Sequence, residues 1–173
     1  MENGDQKLAL ALIDTNYCDF LRQFDKRVAY NKNNKTNRPF VGVLFEVNNF
    51  KYFAPLSSPK PKHLKMPNKT DFMRIDGGRL GAVNFNNMIP LIDGVYKLLE
   101  LDKTDLSVSE AEYQDLLIDQ RNWLNTNRVQ LKKRAERLYK NYLINKIPKA
   151  MKLRCCNFPL LEQKCLEYKI KED

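Results

Sequence analysis

The chain has 173 residues, enough for one domain with a sizeable core, and 43% of them are hydrophobic. Thirty Lys and Arg against 21 Asp and Glu leave a net charge of +9, which points to an anionic partner and, in a chain with no apolar membrane span, to nucleic acid. Six glycines and eight prolines exclude collagenous or low-complexity classes, and four cysteines without a C-x-x-C pair, beside one histidine, exclude the usual zinc patterns.

In chain order, residues 1–7 are polar and read as a frayed tail, leaving one domain over 8–170. LALALI, from Leu8 to Ile13, is a buried strand. Asp14 or Thr15 caps a helix whose Tyr17, Phe20, Leu21 and Phe24 recur at helical spacing. NKNNKTN, from Asn31 to Asn37, is a polar basic loop. PFVGVLFEV (Pro39 to Val47) and FKYFAPL (Phe50 to Leu56) form a hairpin across Asn48–Asn49. FMRI (Phe72 to Ile75) and LGAVNF (Leu80 to Phe85) form a second across Asp76-Gly77-Gly78. MIPLIDGVYKLL, from Met88 to Leu99, reads mainly as strand. A helix starts at Ser107 or Ser109 and runs toward Trp123. Another spans 127–145, with Leu131, Ala135, Leu138 and Tyr142 as its apolar stripe. Pro148 breaks that pattern. Asn157 caps a last helix, with Pro159 in its first turn and Phe158, Leu161, Cys165 and Tyr168 facing inward. The fold class is α+β, an antiparallel sheet with packed helices.

Charge is unevenly placed. Residues 101–120 carry six acids and one lysine, whereas 121–154 carry eleven Lys or Arg and one acid, Glu136. That excess leaves cations free for a ligand. The free thiols and the lack of a signal-peptide core imply a reduced, cytoplasmic protein, and adjacent Cys155 and Cys156 read as small buried residues.

The stretch YFAPLSSPKPKHLK, from Tyr52 to Lys65, carries the chemistry. A strand ends in Ser57 and Ser58, and a stiff loop follows with Lys60, Lys62, His63 and Lys65 and no acid. Hydroxyls at a strand end, backed by cations, suit a phosphate. Cleaving RNA without a metal needs an activated 2′-hydroxyl, stabilised charge on phosphorus and a protonated 5′-oxygen. Two histidines could share the proton transfers, but this chain has one. Lys, Arg, Tyr, Ser and backbone N–H groups remain as electrostatic tools. Each residue alone has a plainer reading. The serines can start a turn, the lysines can be a solvated charge run, Tyr17 lies on an apolar stripe, Arg38 can keep a strand edge solvated, and His63 reads as an exposed loop residue.

In combination the segments resemble the ToxN/AbiQ family, the endoribonuclease toxins of type III toxin–antitoxin and abortive-infection systems. The resemblance runs from about Leu10 to Tyr168. Its main parts are IDTNYCDFLRQFDKRV at Ile13 to Val28, RPFVGVLFEV at Arg38 to Val47, KYFAPLSSPKPKH at Lys51 to His63, NFNNMIP at Asn84 to Pro90 and CNFPLLEQK at Cys156 to Lys164. It implies a twisted sheet related to the MazF/Kid toxin barrel, elaborated with helices. It also implies cleavage of RNA, with no metal or other cofactor, to 2′,3′-cyclic phosphate and 5′-hydroxyl ends. The family's key serine falls on Ser58, its hydroxyl neighbour on Ser57, its lysine on Lys60, its helix tyrosine on Tyr17 and its basic residue before the hairpin on Arg38. A further family tyrosine falls nearest Tyr30. The family antitoxin is a small repeat-encoded pseudoknotted RNA that binds basic grooves, often in a closed toxin–RNA ring. Lys32, Lys35, Lys62, His63, Lys65, Lys132, Lys133 and Arg137 are the RNA contacts this implies. The alternative is a non-catalytic RNA-binding module on the same basic surface.

Overall fold

The computed structural model of the protein describes residues 6–29 and 38–172, with side chains through residue 168. Its centre is a seven-stranded antiparallel sheet in the order β4-β5-β3-β2-β1-β7, with β6 also paired to β3. The strands are β1 (Ala9–Ile13), β2 (Phe40–Val47), β3 (Phe50–Ser57), β4 (Phe72–Arg74), β5 (Ala82–Asn84), β6 (Ile89–Leu91) and β7 (Tyr96–Leu98). The helices are α1 (Thr15–Arg22), α2 (Val108–Thr126), α3 (Arg128–Leu143), α4 (Lys149–Arg154) and α5 (Phe158–Glu172).

Local chemistry accounts for most of these boundaries. The Asp14 carboxylate accepts the Tyr17 N–H at 3.1 Å and caps α1. The Ser107 hydroxyl accepts the Glu110 N–H and starts α2. Asn157 Oδ1 accepts the Leu160 N–H at the start of α5. Asn48 and Asn49 both take positive φ, 50° and 69°, the conformation that a tight hairpin between β2 and β3 requires.

Two elements differ from the sequence reading. Met88 to Leu99 is two short strands, because Gly94 adopts φ +96° and turns the chain between them. α3 ends at Leu143, with Asn145 at φ +57°, and Pro148 stands at the N-cap of the six-residue α4, a helix absent from the sequence reading. Proline fits there because the first helical turn needs no donor.

One long strand organises the site. The edge of β3 opposite β2 is shared: Lys51–Phe53 pair with β6, and Leu56–Ser57 pair with β5. The end of β3 is thus held between β2 and the β4–β5 hairpin. Beneath the sheet, Tyr52, Tyr139 and Phe158 pack within 5.9 Å of one another, and Glu162 Oε1 accepts both phenols, at 3.0 Å from Tyr52 and 2.8 Å from Tyr139. This joins α3 and α5 to β3. All four cysteines are buried and none forms a disulfide among the described residues, Cys155 and Cys156 included. Burial pushes the Cys18 and Cys155 thiols up to about 12.

Candidate active site and RNA interface

The end of β3 brings the serines and a guanidinium together. Phe40 faces Pro55 and Val41 faces Ala54 across the β2–β3 ladder. Continuing that register by two residues puts Arg38 opposite Ser57, and the Leu56 N–H donates to the Pro39 carbonyl at 3.0 Å beside it. Arg38 is half-buried and no carboxylate pairs with it among the described residues, so burial alone draws its pKa below the usual arginine value. A half-buried cation without an acid favours an anionic ligand.

The serines have different surroundings. Ser57 is half-buried, and its Oγ accepts Asn84 Nδ2 at 2.7 Å. Ser58, Lys60 and Lys62 are exposed. Ser57 is aligned with Ala82 in the β3–β5 pairing, which sets its hydroxyl beside Asn84 on the neighbouring strand. Gly81 makes this approach possible: a Cβ there would stand 2.0 Å from the Ser57 carbonyl oxygen, and its φ is +104°.

His63 is buried, with 2% exposure, contrary to its reading as an exposed loop residue. The cause is tertiary. Pro61–Leu64 form a 3-10 turn that tucks beneath the Asp76–Gly78 turn, and at Gly78 a Cβ would lie 2.3 Å from the His63 carbonyl oxygen. His63 Nδ1 accepts the Lys60 N–H at 3.3 Å, so the neutral ring carries its proton on Nε2. Burial, then the charges of Lys62 and Lys60, lower its pKa. The ring therefore fixes the loop that carries Lys60.

Ser57, Lys62 and His63 line a cleft of about 380 Å³ together with Lys69, Asp71, Phe72, Asn84, Asn86 and Arg154. A second cleft of about 590 Å³, between the α2–α3 junction and Thr70, is lined by Lys133, Arg134 and Arg137. The Lys69–Asp71 segment borders both clefts, and Arg134 Nη1 donates to the Lys69 carbonyl. Lys65 is exposed outside either lining. Among the described residues, no group of three His, Cys, Asp or Glu side chains could hold a metal ion.

Two expected site residues lie in the packed interior. Tyr17 is completely buried, its hydroxyl donates to the Pro90 carbonyl at 2.6 Å, and its ring meets Tyr168 edge-on at 5.2 Å. It ties α1 to β6 and α5, and burial drives its phenol far above the ordinary range. The structure does not bring it to the cleft, because the apolar stripe of α1 is the stripe that packs. Lys132 is 8% exposed and its ammonium donates to the Gln6 carbonyl, so it faces the interior side of α3, away from Lys133 and Arg137. Tyr30, Lys32 and Lys35 lie outside the described residues. Asp71, Asn84 and Arg154 also line the cleft, beyond the residues that the sequence singles out. Asn84 stands in the NFNNMIP segment, which signalled it; Asp71 and Arg154 are far apart in sequence and carry no motif.

Cations without an acid partner among the described residues, set near strand-end hydroxyls, give a basic protein whose surface suits an anionic ligand. The comparisons specify it further. Residues 9–166 match the family described as toxin ToxN of the type III toxin–antitoxin system. The chain is 34% identical to the endoribonuclease ToxN of Bacillus thuringiensis subsp. kurstaki over 164 residues, covering 92% of this chain and 84% of that one. It is similar, with a TM-score of 0.82 and 32% identity over 95% of this chain and 99% of the other, to a solved type III toxin–antitoxin structure in which a non-coding RNA pseudoknot selectively inhibits the toxin. A solved structure from a bacterial antiviral system regulated by a processed non-coding RNA matches with a TM-score of 0.77 and 26% identity, over 92% of this chain and 98% of the other. The protein belongs to the ToxN family of type III toxins.

Proposed function

We propose that this protein is an endoribonuclease toxin, held inactive by a structured RNA antitoxin and acting in antiviral defence. What supports the reading is the end of β3, where the ladder register extended by two residues sets the acid-free guanidinium of Arg38 across from Ser57, and Ser58 and Lys60 follow in the chain. The names of its relatives support the same activity.

In the proposed reaction the 2′-oxygen of RNA attacks the adjacent phosphorus and the bond to the 5′-oxygen breaks. The 2′-hydroxyl loses a proton and the leaving 5′-oxygen gains one, giving a 2′,3′-cyclic phosphate and a 5′-hydroxyl. Ser58 hydrogen-bonds the attacking hydroxyl or the scissile phosphate. Ser57, held by Asn84, orients the same phosphate. Lys60 and Arg38 stabilise the charge that develops on phosphorus. Tyr17 contributes by holding α1 against β6 behind the site.

The antitoxin is a pseudoknotted RNA encoded in repeats, and it occupies the substrate cleft while its backbone runs over Lys133, Arg134 and Arg137. Toxin and RNA alternate in a closed ring, in the cytoplasm. The sheet is a relative of the MazF/Kid barrel. Among the described residues, no helix is long and apolar enough to cross a membrane.

The test is incubation of purified protein with RNA in EDTA, with mapping of the new ends. Discrete 5′-hydroxyl ends, lost in a folded Ser58→Ala variant, are expected. Binding without cleavage would leave an RNA-binding module instead, and full cleavage by folded Ser58→Ala would remove the proposed site.

A further inference from the structure

The cleft beside Ser57 contains an acid that the phosphate chemistry does not use. Asp71 is 2% exposed. Its Oδ2 accepts Arg154 Nε and Nη2, both at 3.1 Å. Its backbone carbonyl accepts the Asn86 N–H at 3.2 Å, which fixes the residue in place. Its other carboxylate oxygen, Oδ1, is buried and has no hydrogen-bond partner among the described residues. Lys62 and Lys69 line the same cleft, yet neither forms an ion pair with it among the described residues. A buried charged acceptor without a donor is a costly arrangement. It cannot serve phosphate, which it repels. It suits a ligand that brings an N–H.

The other walls fit a flat ring. Phe72 is half-buried beside Asp71, and Met66 and Pro67 complete an apolar side. Single-stranded RNA bases stack on such aromatic faces and are read along their edges.

We infer that this cleft is a base-reading pocket, in which Asp71 Oδ1 accepts an exocyclic amino group of a nucleotide flanking the scissile phosphate. The inference rests on the RNA-cleaving reading above. Adenine, cytosine and guanine carry such an amino group. Uracil does not: its single edge N–H lies between two carbonyl oxygens, and both repel a carboxylate. With Oδ2 occupied by Arg154, only one oxygen is free, so guanine gains nothing from its paired N1–H and N2–H groups. The pocket therefore discriminates against uracil at one position by about tenfold or more, the worth of one hydrogen bond to a charged acceptor.

The experiment compares cleavage of an oligoribonucleotide set varied one position at a time, using wild type and Asp71→Asn. In the variant the amide oxygen keeps Arg154 and the NH₂ group turns to the base. Discrimination against uracil at one flanking position, read as the ratio of cleavage rates within each protein, should collapse or reverse. Arg154→Ala is the second variant. It truncates a half-exposed side chain, frees Oδ2, and should raise cleavage beside guanine at that position. Binding of the same oligonucleotides to Ser58→Ala protein, read by fluorescence anisotropy, gives the preference without cleavage. Wild-type protein that cleaves RNA with a base profile unchanged in both variants overturns the inference and leaves the proposed function standing. Wild-type protein that cleaves no RNA removes the proposed function; an Asp71-dependent base preference in binding would still support the pocket.

Discussion

Gly81 is the most exacting test of how the serine edge is built. Its φ of +104° is one that side-chain-bearing residues rarely adopt, and a Cβ would stand 2.0 Å from the Ser57 carbonyl oxygen and 3.3 Å from the Ser58 carbonyl carbon. Both obstructing atoms are backbone, so no rotamer change relieves them. Strain at such a φ costs about 1–3 kcal/mol, and overpacking against a fixed neighbour about 1–3 more. Gly81→Ala should therefore lose roughly 2–6 kcal/mol. At about 2–4 °C per kcal/mol for a domain of this size, the melting temperature should fall by roughly 4–24 °C. Relief of the clash moves the end of β3, so RNA cleavage should fall by more than tenfold even where the protein remains folded. Gly77→Ala is the control. Gly77 also has positive φ, +63°, but no atom of the described residues lies within 4 Å of its Cβ position. It should cost about 1 kcal/mol and leave cleavage unchanged. Calorimetry and a cleavage time course on both variants decide the matter. Equal melting temperatures with equal activity would mean that Gly81 does not press on the serine pair.

Three further outcomes follow from the packing. Tyr17→Phe leaves the Pro90 carbonyl buried without its donor, so denaturant melts should show a loss of about 1–3 kcal/mol with cleavage within a few-fold of wild type; lost cleavage at unchanged stability would put the phenol in the site. His63 has a lowered pKa in the folded protein, so its share of stability is complete above the unfolded value near 6.5 and is lost as pH falls through the folded value. Urea melts from pH 8 to pH 5 should fall more steeply for wild type than for His63→Asn, and parallel curves would refute the buried, neutral ring. The four buried thiols should resist an aromatic disulfide reagent in native protein and react fully once it is unfolded; fast native reaction at Cys155 would contradict its burial.

Sequence alone determined the first strand, the two hairpins and the position of the serine pair at a strand end. Their signals are local: alternation, paired asparagines with positive φ, capping side chains, and a hydroxyl pair where an apolar run stops. The partner class followed from net charge, because a basic excess needs no fold to attract an anion. Only the tertiary structure decided which polar residues meet a ligand. Lys132 stands in a run of cations and reads as a surface residue, but the packing of α3 buries it, whereas Tyr17 is buried where its apolar stripe says it should be. His63 reads as a loop residue until the glycine-containing turn Asp76–Gly78 packs against its own turn. Asp71 and Arg154 are 83 positions apart, and their 3.1 Å pairing beside Ser57 depends on where α4 and the β4–β5 hairpin come to rest. Spacing along a chain reports periodic contacts within an element; contacts between distant elements are set by packing, and the base-facing wall of this cleft is made of those.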